Sequence, residues 1–182
     1  MLGKHAQAEQ SLRRAIKIYP YDPMLQNGLG ASLILQGKSD QAQPAIEAAL
    51  DLDPKLAEAH SNLGVIESNR GDLIKASRHF ARALQLDPDY VHAHVGMADI
   101  DTAQGKYTNA INHLQQVVTK DPKFFNAQVK LGIALSKNQK FDKALAHLHE
   151  ASQLQPENPR SYLEAGLIYL RLSKFETALQ LL

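Results

Sequence analysis

The sequence predicts an all-α solenoid of antiparallel helix hairpins with a 34-residue repeat. Three observations predict it. Prolines stand at Pro20, Pro54, Pro88, Pro122 and Pro156, each 34 positions after the last. Small residues recur in register with them: Gly30, Gly64, Ala98, Gly132 and Gly166 in one column, and Ala8, Ala42, Ala76, Ala110, Ala144 and Ala178 in another. A third column holds Gly3, Gly37, Gly71 and Gly105, continued by Gln139 and Ser173. A strict period of this length marks stacked supersecondary units.

With 182 residues, 44% hydrophobic and 21% charged, the chain can bury a core. Its 20 Lys and Arg against 19 Asp and Glu give no electrostatic reason to expect nucleic acid or an anionic membrane as partner. Apolar runs extend only a few residues, so no membrane insertion is expected. The opening Met-Leu-Gly-Lys-His-Ala lacks the apolar core of a signal peptide, which leaves cytoplasm and bacterial periplasm both open. Without cysteine there are no disulfides and no thiolate metal sites.

Each proline is set at repeat position 32. Residues 23–56, 57–90, 91–124 and 125–158 are then full repeats within one array. Residues 1–22 read as the second half of a repeat, and 159–182 as a repeat cut inside its second helix. The first helix is expected at positions 2–14 and the second at 18–30, each about 20 Å long. Small residues at positions 8, 20 and 27 (the last being Ala15, Ala49, Ala83, Val117 and Ala151) let the two helices cross closely. Position 7 (Leu29, Leu63, Met97, Leu131, Ala165) and position 24 (Leu12, Ile46, Phe80, Leu114, Leu148, Leu182) supply the larger side chains between them. Glycine at position 15 predicts a left-handed cap on the first helix. Asp40, Thr108 and Asp142 are expected to cap second helices, and Pro23 and Pro159 to open first helices. Pro44 falls early in a second helix and predicts a kink or a late start.

These columns, with the run Ser-Asn-Leu-Gly-Val-Ile-Glu-Ser-Asn-Arg-Gly-Asp-Leu (61–73) followed by Ala76, Phe80, Ala83 and Pro88, resemble the tetratricopeptide repeat (TPR) family over the whole chain. The resemblance implies a right-handed superhelix with first helices lining a concave groove. The chain begins and ends mid-repeat, so a piece of a longer protein is expected, with apolar ends that predict end-to-end self-association. One departure is position 4, where the family's bulky aromatic is replaced by Gln26, His60, His94 and Gln128, with Tyr162 last. Looser packing at the hairpin mouth is expected there.

The resemblance also places groove-facing side chains at positions 2, 5, 6, 9, 12 and 13, which share one helical face. The candidate partner-binding residues are Asn27, Ile34, Glu58, Asn62, Val65, His92, Val95, Asp99, Asn126, Val129, Lys130, Ile133, Arg160, Leu163 and Leu167. A protein or peptide partner with a few apolar anchors suits that surface. Two family subtypes do not fit. The clamp that grips a terminal carboxylate needs Lys, Asn, Lys and Arg where this chain has Asn27, Ala31, His92 and Gly96, and only Asn62 matches. The asparagine ladder at position 6 reads Gly28, Asn62, Gly96, Lys130 and Glu164, a single rung.

His79, His113 and His147 recur at position 23. Stacked helices stand roughly 8–10 Å apart, too far for one ion held at about 2 Å by each ligand, so no metal and no cofactor is expected. His92 and Asp99 lie on one face with Gly96 between them, an arrangement open to a base and its orienting group. No nucleophile with a paired base and no phosphate loop accompanies them, and the expectation is a non-enzyme. The function expected is a protein–protein interaction scaffold within a larger assembly. The alternative is a targeting module for a catalytic domain outside this stretch.

Overall fold

A computed structural model describes residues 2–181, with side chains for residues 5–179. Among the described residues there are eleven helices and no strand. They are α1 (Leu2–Ile18), α2 (Pro23–Leu35), α3 (Ser39–Leu52), α4 (Ala57–Asn69), α5 (Leu73–Leu86) and α6 (Val91–Ala103). There follow α7 (Tyr107–Lys120), α8 (Phe125–Lys137), α9 (Phe141–Leu154), α10 (Pro159–Arg171) and α11 (Phe175–Leu181). First and second helices begin about one residue earlier than the sequence predicts. The chain forms two compact units, Met1–Gly96 and Met97–Leu182. In the first, α2 packs on α1 and α3, α4 on α3 and α5, and α2 and α4 touch directly. In the second, α8 packs on α7 and α9, α10 on α9 and α11, and α8 and α10 touch.

The small-residue columns are where helices cross. A methyl group added at Gly30 would lie 2.2 Å from Ile46 Cγ1, one at Gly64 2.7 Å from Phe80, and one at Gly132 2.7 Å from Leu148. Position 24 therefore drives its side chain into the glycine of position 8, sixteen residues back. Phe80 is seated on a second side too, since a methyl at Gly96 would meet its ring at 2.4 Å. That contact fills the space the sequence left beside Gly96 for a base and its partner. Ala42, Ala76, Ala110, Ala144 and Ala178 are fully buried at the same crossings. Ala8, on α1, is exposed. Leu182 lies outside the described residues. The core of the first unit joins Leu29, Leu33, Ile46, Leu63 and Ile66, with Leu12 and Ile16 packed against it. Burying side chains of this size stabilises by about 1.5–3 kcal/mol each.

Position 15 is left-handed in every hairpin. Gly37, Gly71 and Gly105 have φ of 74°, 83° and 73°, and Gln139 and Ser173 adopt φ of 60° and 58° at the same place. The next residue's N–H reaches back to the carbonyl five residues earlier, as in Lys38 to Leu33 and Lys140 to Leu135, which closes the helix end. Gly3 departs from this column, lying inside α1 in helical backbone.

The caps are not all where the sequence put them. Asp22 accepts from Met24 N–H at 2.8 Å and Asp72 from Lys75 N–H at 3.0 Å, while Asn158 accepts from Arg160 N–H at 3.1 Å. Pro23 and Pro159 open α2 and α10 as expected. Asp40, Thr108 and Asp142 do not cap. The residues at those N-caps are Lys38, Lys106 and Lys140, whose side chains make no capping hydrogen bond, and the three expected caps sit in the first turn. There Asp40 and Asp142 still favour the positive helix end. α3 starts at Ser39 and runs through Pro44 without a late start.

Position 4 corrects the expectation of a loose hairpin mouth. His60 Nε2 bonds the carbonyl of Pro54 at 3.2 Å, His94 Nε2 that of Pro88 at 2.9 Å, and Gln128 Nε2 that of Pro122 at 2.8 Å. Each polar side chain ties its helix to the carbonyl of the preceding connector, six residues back.

Candidate partner-binding groove

Six of the candidate residues meet in the first unit. Asn27 and Ile34 on α2, Glu58, Asn62 and Val65 on α4, and His92 at the start of α6 line one groove of about 480 Å³. Met24, Gly28, Ala31, Leu35 and Ser61 complete its walls, together with Tyr90. The first helices run side by side because position 6 of one faces position 5 of the preceding one. Asn62 Nδ2 donates to Asn27 Oδ1 at 2.8 Å, and Asn27 Nδ2 donates to Glu58 Oε2 at 3.3 Å. This chain of three polar side chains fixes the groove wall. Asn27 is itself buried, and its carbonyl and amide are both used in the chain.

The two ends of the groove differ. Glu58, Tyr90 and His92 stand at the end formed by the helix N-termini. Val65 stands about two helical turns further along, and Ile34 and Leu35 about three. The Tyr90 and His92 rings meet edge to face, with centroids 5.7 Å apart. Burial, and then the carboxylates of Glu58 and Asp87, push the Tyr90 phenol up to about 12, so it stays a hydrogen-bond donor at neutral pH. Tyr90 escaped the sequence reading because it precedes the helix, at position 34 of its repeat. The available signal was an aromatic residue ending a connector that otherwise reads Asp-Pro-Asp.

The other candidates are not gathered into this groove. Val95 is half-buried on α6. In the second unit Asp99 forms an ion pair with Lys130. Asn126, Lys130 and Ile133 lie along α8 at helical spacing, and Arg160, Leu163 and Leu167 along α10. Leu163 and Leu167 are 49% and 43% exposed, one turn apart. Val129 is fully buried and belongs to the core. Position 5 faces the neighbouring helix at this point, and a branched aliphatic side chain fills the gap.

The position-23 histidines are each engaged locally. His79 stacks on His60 at 6.4 Å between centroids, His147 Nδ1 bonds Gln128 Oε1 at 2.8 Å, and His113 lies 4.0 Å from Asp101. Among the described residues no group of three or more His, Cys, Asp or Glu is arranged to hold a metal ion.

Recurrent hairpins with this packing define a helical-repeat protein of the interaction-scaffold class. The chain belongs to the tetratricopeptide repeat family. Profiles described as tetratricopeptide repeat match residues 25–56, 57–90 and 129–182, and one described as TPR repeat matches 98–139. The fold resembles that of MamA from Desulfovibrio magneticus RS-1, with a TM-score of 0.76 and 21% identity over 87% of this chain and 90% of that one. It is similar to a chain of the APC/C hetero-tetramer Cut9-Hcn1, with a TM-score of 0.90 and 19% identity over 98% of this chain and 36% of that one. It is also similar to YrrB, described as a TPR protein with an unusual peptide-binding site, with a TM-score of 0.72 and 20% identity over 96% and 90% of the two chains. No curated protein sequence matches this chain.

Proposed function

We propose that the chain is an interaction scaffold that holds a short segment of a partner protein in the groove between α2, α4 and the start of α6. The convergence of Asn27, Ile34, Glu58, Asn62, Val65 and His92 on one concavity carries this reading. A groove with an apolar end and a few fixed polar groups offers both affinity and register to a peptide. The walls are preorganised by the Asn62–Asn27–Glu58 hydrogen bonds, so little conformational freedom is lost when a segment docks. The likeness to YrrB, described as carrying a peptide-binding site, is consistent with it. Within the second unit, Asn126, Lys130 and Ile133 on α8 and Arg160, Leu163 and Leu167 on α10 are proposed as contact residues in their own right.

The test is affinity capture with the wild-type chain beside Asn62→Arg/Val65→Arg, both first shown to be helical by circular dichroism. A partner captured by the wild type and lost by the variant supports the groove. A partner held equally by both refutes it and moves the contact to another face.

A further inference from the structure

The groove of the first unit has one formal charge among its lining residues, the carboxylate of Glu58, and no Lys or Arg. Glu58 Oε2 accepts from Asn27, while Oε1 accepts no hydrogen bond from any described residue. Glu58 is half-buried, so its charge is screened less than one on an open surface. The Tyr90 ring stands at the same end. Burial pushes its phenol up first, and the carboxylates of Glu58 and Asp87 act in the same direction. Glu58 also lies in the first turn of α4, where it already offsets the positive end of its own helix. A second anion would gain little there and would meet Glu58. A cation would gain a carboxylate oxygen and the face of an aromatic ring.

We propose that the segment bound in this groove carries a basic side chain, Lys or Arg, seated between Glu58 and Tyr90, with an aliphatic side chain about three residues away against Ile34 and Val65. This rests on the groove reading above and deepens it. The spacing follows from α4. Glu58 and Val65 are seven residues apart on one helix, about 10 Å at 1.5 Å per residue, and an extended chain covers that distance in about three residues at 3.3 Å each. Between the two anchors, Asn62 is placed to bond the segment's backbone, since only one of its amide hydrogens is used by Asn27.

The probe is the peptide acetyl-Leu-Ser-Gly-Lys-Gly-Ser-Leu-amide, which sets an aliphatic residue three positions from the cation in both chain directions. Versions with norleucine or Glu in place of Lys are the comparison. Each is titrated into the whole chain at about pH 8, where an unperturbed imidazole is neutral. Binding is read by heteronuclear NMR at the side-chain amides of Asn27 and Asn62. The Lys peptide is expected to bind about tenfold or more tightly than the other two, as a charge-assisted contact implies. Glu58→Gln should erase that preference and keep the fold, because a Gln carbonyl still accepts from Asn27. Equal binding of the Lys and norleucine peptides, with shifts at both amides, would overturn the basic anchor and leave the groove reading standing. Preference for the Glu peptide would reverse the inference. Absence of groove shifts with every peptide would overturn both readings.

Discussion

Replacing Gly30 by alanine tests the packing rule on which each hairpin depends. In a helix interior alanine is favoured over glycine by about 1 kcal/mol, so a reading of local propensity alone expects stabilisation. The structure expects the reverse. The new methyl would lie 2.2 Å from Ile46 Cγ1, 2.9 Å from its Cδ1 and 3.3 Å from the Ala42 carbonyl oxygen. Ordinary carbon contacts are about 3.5–4.0 Å, so Ile46 must retreat by more than 1 Å. It is fully buried, and a β-branched side chain in a helix has few other rotamers. Overpacking of this kind costs about 1–3 kcal/mol, and the depth of this overlap puts it at the upper end. Against the propensity gain, the net loss is about 2 kcal/mol. Ile46→Ala alone should cost about 2–5 kcal/mol. The double variant should cost less than the sum by at least about 1 kcal/mol, because the added methyl occupies part of the hole. Urea denaturation followed by circular dichroism measures all three. A stabilised Gly30→Ala, or strict additivity in the cycle, would refute the reasoning.

Three further outcomes follow from single features. Burial holds His79 and His147 below their ordinary pKa of 6.5, His60 adding to the effect at His79 and Glu67 opposing it. Both therefore take up a proton less readily when folded than when unfolded, and the unfolded chain takes up protons first as the pH falls. This stability is complete above about pH 6.5 and is lost as the pH falls below it. The urea midpoint should drop between about pH 8 and about pH 5.5, and His79→Gln/His147→Gln should flatten the drop. Gln139 holds φ of 60° where three other hairpins use glycine, so Gln139→Gly should raise unfolding stability by about 1 kcal/mol. A lower midpoint would show that the side chain contributes more than the strain costs. Val129→Glu places an unpaired charge in the core and should cost more than about 3 kcal/mol, with loss of helical circular dichroism. Leu163→Glu, on an exposed residue, should stay within about 0.5 kcal/mol of wild type.

Sequence by itself determined the architecture, because each signal that carries it is local. A proline lacks an N–H wherever it stands, a left-handed turn favours glycine, and a fixed period repeats one hairpin. Pro23 and Pro159 open their helices, Gly37, Gly71 and Gly105 close theirs, and Gly30 meets Ile46 as the small-and-large columns imply. Six residues that line one concavity stand on helical faces that spacing makes legible, although the family resemblance chose which face to read. What only the tertiary structure decided is which part of that face meets solvent and which meets a neighbour. Val129 and Asn27 share position 5 and are both buried, yet Val129 fills the core while the Asn27 side chain bonds Glu58 and Asn62 in the groove wall. Phe80 takes a second seat against Gly96, and His60, His94 and Gln128 find proline carbonyls of the preceding connectors. Tyr90 joins the groove from a connector. The burial of Val129 and the seat of Phe80 depend on how one helix crosses another, whereas the three proline contacts, six residues back, depend on the angle at which a connector enters its helix.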